Sequence, residues 1–113
     1  MSIIEEVIDD ILVEIINYDR ATLNEAEILK GMINKKVDLG FNKIIIDLSS
    51  CTFMDSTFLG VLVNTLKKAA KTGGDLKLVG FQPAVRSMFE LTRLFRVFDT
   101  YSELQTAIKS FYN

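Results

Sequence analysis

The run Lys43-Ile44-Ile45-Ile46-Asp47-Leu48 constrains this chain more than any other feature. Side chains alternate across an extended segment, so three consecutive isoleucines place apolar groups on both of its faces. A short strand of that kind belongs in the middle of a sheet that is covered on two sides. The remaining sequence has to supply neighbouring strands and covering helices.

It does so in regular alternation. Residues Ile3 to Ile16 are rich in Ile and Val and are interrupted by Asp9-Asp10, which predicts two strands joined by a turn. In the second of these, Ile11, Val13 and Ile15 share one face, and Leu12, Glu14 and Ile16 share the other. Asp19-Arg20-Ala21-Thr22 opens a first helix, with Thr22-Leu23-Asn24-Glu25 as a capping box. Ala26, Leu29, Ile33 and Val37 follow at helical spacing, and Gly40 is the stop. Ser49 to Phe53 is loop. Asp55 to Thr72 is a second helix with Leu59, Leu62, Val63, Leu66 and Ala70 as its core stripe, ended by Gly73-Gly74. Leu76 to Val79 is a strand. Pro83 takes the first position of a third helix, which buries Val85, Met88, Phe89, Thr92 and Phe95. A short strand near Arg96 to Phe98 follows. Thr100-Tyr101-Ser102-Glu103 is a second capping box, before a last helix with Leu104, Ala107, Ile108 and Phe111 inward. The order β-β-α-β-α-β-α-β-α defines an α/β fold: a mixed, mostly parallel sheet of four to five strands with four helices, as one domain over 1–113.

Composition removes much chemistry. A chain of 113 residues buries roughly 65% of its unfolded surface, enough for a core without staples. There is no His and only one Cys, so no histidine base, Ser-His-Asp triad, internal disulfide or zinc site can be built. The net charge of −2 disfavours nucleic acid. Lys67, Lys68 and Lys71 form a short basic stretch that reads as a solvated helix face. No basic leader precedes Ile3, and no apolar run reaches the ~18 residues of a membrane span. The expectation is a cytoplasmic chain with Cys51 reduced and no direct membrane insertion. Cys51 has no flanking base or cation to activate it. Asp9, Asp10, Asp47 and Asp55 could in principle ligate Mg²⁺, but Asp9-Asp10 is more simply a turn, and no metal or cofactor is expected.

The informative stretch is Asp47 to Gly60, where the central strand ends, a loop turns and a helix begins. Sites in open α/β sheets gather at the carboxyl ends of strands. Asp55 can cap the helix, which leaves the Ser56 hydroxyl at the first turn. A phosphate there would meet free N–H groups and the positive end of the helix dipole, and would add roughly two negative charges beside Asp55. Helix starts with Asp and Ser are also commonplace as caps alone.

With Ile46-Asp47-Leu48-Ser49 and Met54-Asp55-Ser56-Thr57-Phe58-Leu59-Gly60 in this context, the chain resembles the STAS domain family and its stand-alone anti-sigma factor antagonists. Tyr18-Asp19 with Thr22-Leu23, and the stretch Pro83 to Phe95, extend the resemblance over essentially the whole chain. The resemblance implies a partner switch and no enzymatic activity. The unphosphorylated chain would bind an anti-sigma factor that is also a Ser/Thr kinase of the histidine-kinase-like ATPase fold. That kinase would phosphorylate Ser56, and a PP2C-type phosphatase would reverse it. Asp19, Asp55, Ser56, Thr57 and Phe58 are the implied partner-binding residues. The family has Gly where this chain has Phe58. An exposed Phe58 would be a contact anchor and an inward one a core residue, and both readings stay open. Two other roles compete: a subunit that binds the ATPase of a lipid-transporting ABC complex, which Phe58 in place of Gly favours, and a partner switch aimed at a non-sigma target.

Overall fold

The computed structural model describes residues 1–112. The chain opens with a hairpin of β1 (Ser2–Ile8) and β2 (Ile11–Asn17). Asp9 turns it in the left-handed region at φ 56°, a conformation that aspartate tolerates better than most side chains. Next come β3 (Arg20–Ala21), α1 (Leu23–Asp38), β4 (Lys43–Asp47), β5 (Phe53–Met54) and α2 (Ser56–Lys71). The chain continues through β6 (Asp75–Val79), α3 (Pro83–Leu91), a 3₁₀ turn at Leu94–Arg96, β7 (Asp99–Tyr101) and α4 (Leu104–Ser110).

The main sheet has the order β1-β2-β4-β6-β7. Only the β1–β2 pair is antiparallel; β2–β4, β4–β6 and β6–β7 are parallel. The central apolar run is therefore the middle strand, and Ile44, Ile45 and Ile46 have no exposed surface. Two clusters follow from strand alternation. Leu12, Ile16, Ile44, Ile46, Leu76 and Leu78 pack against α1, α2 and α3. Ile11, Val13, Ile45 and Val79 pack against α4 through Ala107 and Ile108.

The expected fold class and element order hold, with differences at short elements. The second capping box does not form: Thr100 and Tyr101 lie in β7, and Glu103 caps α4 without a side-chain hydrogen bond. Val79 pairs with Tyr101, so sheet pairing takes these residues. The last strand lies later than Arg96 to Phe98, because Leu94–Arg96 first makes a 3₁₀ turn. Phe98 is buried against Phe89 in edge-on contact, with ring centroids 5.8 Å apart. The close of α2 follows expectation: Gly73 adopts φ 81°, and a Cβ on Gly74 would lie 2.0 Å from the Asn42 carbonyl oxygen.

One residue contradicts the apolar logic of the sheet. Glu14 shares the inner face of β2 with Leu12 and Ile16, and its side chain is fully buried. Neither carboxyl oxygen finds a hydrogen-bond partner among the described residues. Its cross-strand neighbour is Glu5, whose Oε1 lies 3.6 Å from Lys36 Nζ on α1. Burial first, and then the Glu5 carboxyl, push the Glu14 pKa up to about 9, so Glu14 holds its proton at neutral pH.

The unfolded chain releases that proton near the ordinary 4.5. The stability contributed by the Glu14 proton is therefore full below that pH and declines as pH rises toward 9, by at most about 1.4 kcal/mol per pH unit. Glu14→Gln, which keeps the shape and removes the titration, should gain steadily on the native chain over this range. Urea denaturation at pH 5, 7 and 9 measures the difference; a constant gap would show that Glu14 is ionised in the fold.

Candidate functional site

A two-stranded ladder organises the loop between β4 and α2. β3 pairs in parallel with β5, Arg20 opposite Phe53 and Ala21 opposite Met54. The Asp19 carbonyl accepts the N–H groups of Thr52 at 2.8 Å and Phe53 at 3.1 Å, and the Ala21 carbonyl accepts that of Asp55 at 3.1 Å. Asp19 and Arg20 thus precede the helix as extended backbone. α1 begins at Leu23, after Thr22, whose N–H donates to Glu25 Oε1 at 2.8 Å. Asp19 is exposed, and the ladder brings it beside the segment that starts α2. A two-residue ladder carries no periodic signal, which is why the sequence reads 19–22 as helix start and 49–53 as plain loop.

The start of α2 matches the expected geometry. Asp55 is the N-cap with extended backbone, and its Oδ1 accepts the Phe58 N–H at 2.9 Å. Ser56 and Thr57 are exposed on the first turn, and Asp55 is half-buried. Ser56 therefore offers its hydroxyl to solvent beside free N–H groups at the positive end of a 16-residue helix.

Phe58 is not a surface anchor. It is fully buried, in the cluster with Leu29, Met54, Leu62 and Phe89. The cap fixes the phase of the helix, so Phe58, Leu62, Thr65 and Ala69 recur along the inner stripe with Leu59. The expected Val63 and Leu66 are only half-buried, and Ala70 is exposed. Thr65 fits the core because its hydroxyl donates to the Val61 carbonyl at 2.7 Å. Of the five expected contact residues, Asp19, Asp55, Ser56 and Thr57 gather on one rim, and Phe58 supports that rim from below.

Sequence reasoning missed an aromatic on the same rim. Phe53 is 39% exposed, and the Arg20 guanidinium stacks 4.1 Å from its ring centroid. The alternation of exposed Phe53 with buried Met54 is the only signal, and two residues are too short to reveal it. Cys51 is buried, with its thiol donating to the Phe53 carbonyl. Burial pushes its pKa up, which suits a bystander rather than a reactive thiol. Asp47 accepts the Ser49 N–H and hydroxyl at 2.9 and 2.6 Å, holding the turn after β4. Asp10 accepts from the Tyr112 hydroxyl and pairs with Lys43. Among the described residues no three acidic or cysteine side chains converge as a metal site, and no helix is long and apolar enough to cross a membrane.

A five-stranded mixed sheet with an N-terminal hairpin, and an Asp-capped helix start that presents Ser and Thr to solvent, define a small α/β domain with an exposed polar helix start. The chain belongs to the STAS domain family, whose model matches residues 5–107. A Thermotoga maritima protein named provisionally as an anti-sigma factor antagonist is 30% identical over 107 residues, covering 92% of this chain and 95% of that one. The anti-sigma-B factor antagonist of Bacillus subtilis is 34% identical over 62 residues, covering 55% and 57%. The crystal structure of an anti-sigma factor antagonist from Mycobacterium paratuberculosis superposes with a TM-score of 0.88 at 27% identity, covering 99% and 94%.

The two phenylalanines should behave oppositely. Phe58→Ala should destabilise the fold by roughly 3–5 kcal/mol in chemical denaturation, as truncation of a buried aromatic does. Phe53→Ala should cost under about 1 kcal/mol. Similar losses for both would place Phe53 in the core.

Proposed function

We propose that this chain is a phosphorylation-controlled anti-sigma factor antagonist. Unphosphorylated, it binds an anti-sigma factor that is also a Ser/Thr kinase of the histidine-kinase-like ATPase fold, and so frees a sigma factor. Phosphorylation of Ser56 by that kinase releases the complex, and a PP2C-type phosphatase restores binding. The chain is then a substrate and a ligand in the cytoplasm, and it performs no catalysis.

One observation carries the reading. Ser56 stands exposed on the first turn of α2, whereas Asp55 caps that turn and Phe58 anchors it in the core. A phosphate at Ser56 can be accepted without unpacking anything, because the helix end tolerates negative charge. Seated in a partner's interface, the same phosphate brings uncompensated charge and desolvation, which weakens binding. Asp19, Thr57 and Phe53 complete the contact rim, with Phe53 taking the anchoring part that an exposed Phe58 would have had. The names of the relatives support the class of partner. The competing reading, a subunit that binds the ATPase of a lipid-transporting ABC complex, uses the same helix start without phosphorylation, and capture of a transporter ATPase by both wild type and Ser56→Asp would favour it.

The test is co-purification from the native cells with tagged wild-type, Ser56→Ala and Ser56→Asp chains, followed by mass spectrometry. Wild type should retain a small histidine-kinase-like ATPase. Ser56→Asp should lose it, with binding weakened by about 3 kcal/mol or more, over a hundredfold in Kd. The melting temperature of Ser56→Asp should stay within a few degrees of wild type. Equal capture by wild type and Ser56→Asp would overturn the switch, and so would a large loss of stability, since Ser56 would then be only a structural cap.

A further inference from the structure

A groove of about 540 Å³ runs between α1 and α2 and opens at Ser56 and Thr57. Its charge is opposite to that of the chain. Lys67, Lys68 and Lys71 from α2 face Lys30 from α1 across it, with Glu27 the one acidic side chain among its lining residues. The chain as a whole carries −2. In sequence the three α2 lysines read as one solvated face; the packing of α1 beside α2 adds the fourth and makes the face concave.

The floor is open as well. Gly60 lines the groove, and a Cβ built on it would meet nothing within 4 Å. No packing requirement explains a glycine there, and glycine inside a helix is less stable than alanine by roughly 0.5–1 kcal/mol. Its effect is to leave the groove free next to Val61. From Ser56 to Lys71 the groove wall spans about 22 Å of helix at ~1.5 Å per residue. That length suits a segment of chain rather than a single small anion.

We propose that the α1–α2 groove docks an acidic segment of the protein partner, entering at Ser56 and running along the lysines toward Lys71. The proposal deepens the partner-binding reading of Ser56 and rests on it. It also supplies a reason for release: a phosphate on Ser56 puts negative charge at the groove mouth, where the acidic segment enters, and competes with it for the lysines. A concave groove sets its floor back from a flat anionic membrane, so a lipid surface is the poorer fit.

Two variants test the groove without touching Ser56 or the Asn34–Lys68 hydrogen bond across it. Lys67→Glu/Lys71→Glu reverses charge at exposed positions, and Gly60→Leu fills the floor with no change of charge. Both should stay folded, with melting temperatures within a few degrees of wild type, since reversing Lys71 loses only a modest dipole interaction at the end of α2. The probe is a synthetic 16-residue peptide of alternating Glu and Leu pairs, titrated into ¹⁵N-labelled chain. Amide shifts should concentrate at Lys30, Gly60, Val61 and Lys71, and affinity should fall at least tenfold with each variant and fall with added salt. Scattered shifts, or variants that bind as wild type does, would overturn the proposal. So would tighter binding of inorganic phosphate or phosphatidylglycerol vesicles than of the peptide. The native capture experiment separates the two claims. A partner lost with Ser56→Asp but retained by both groove variants would sink the groove and leave the switch standing. A partner lost with the groove variants and retained by Ser56→Asp would do the reverse.

Discussion

The burial of β4 on both faces is the constraint from which the rest of the architecture follows. Ile44, Ile45 and Ile46 have no exposed surface, so β4 needs a strand on each edge and a layer on each side. β2 and β6 fill the edges. α1, α2 and α3 cover one side, and the short α4 covers the other. The asymmetry matters for function. The three-helix side carries the larger cluster, and its α2 starts directly after the loop that leaves β4. The site at Ser56 is thus reached from the buried central strand through one connecting loop.

That connection is stiffened by backbone pairing rather than by packing. The β3–β5 ladder ties Asp19 to Thr52 and Phe53, and Ala21 to Asp55, so the start of α1 and the start of α2 are held by the same few hydrogen bonds. The Asp55 carboxylate then fixes the first turn of α2 through the Phe58 N–H. With the cap in place, the phase of the helix is set. Ser56 and Thr57 face out and Phe58 faces in, two opposite placements decided by one hydrogen bond and the helical period. Phe58 is accommodated inside, so the exposed first turn of α2 presents only small polar side chains, and the exposed aromatic nearby is Phe53.

Charge is distributed in a way that composition does not reveal. The buried Glu14 lies beside Glu5 and is stable there because it stays protonated, with Lys36 answering the Glu5 carboxylate. On the other side of α1, Lys30 joins three lysines of α2 around an open groove. A chain with a slightly negative total therefore presents a concentrated positive surface next to the exposed Ser56. Both features depend on which residues become neighbours when α1 is laid on the sheet beside α2.

The sequence by itself determined the main strands and helices and the capped start of α2. The isoleucine run, the glycine stop at Gly73-Gly74, Pro83 and the helical stripes specify strand, helix and order, because periodicity and backbone preference are local properties. Asp55-Ser56 was legible as a capped helix start for the same reason. What only the tertiary structure decided lies in contacts between segments far apart in sequence. These are the β3–β5 pairing that turns Asp19 and Arg20 away from α1, the claim of β7 on Thr100 and Tyr101, the inward turn of Phe58 against the exposure of Phe53, the proton on Glu14, and the meeting of Lys30 with the lysines of α2. A two-residue ladder has no period to detect, and a buried carboxyl or a basic groove exists only once distant side chains share one low-dielectric space or one concave surface.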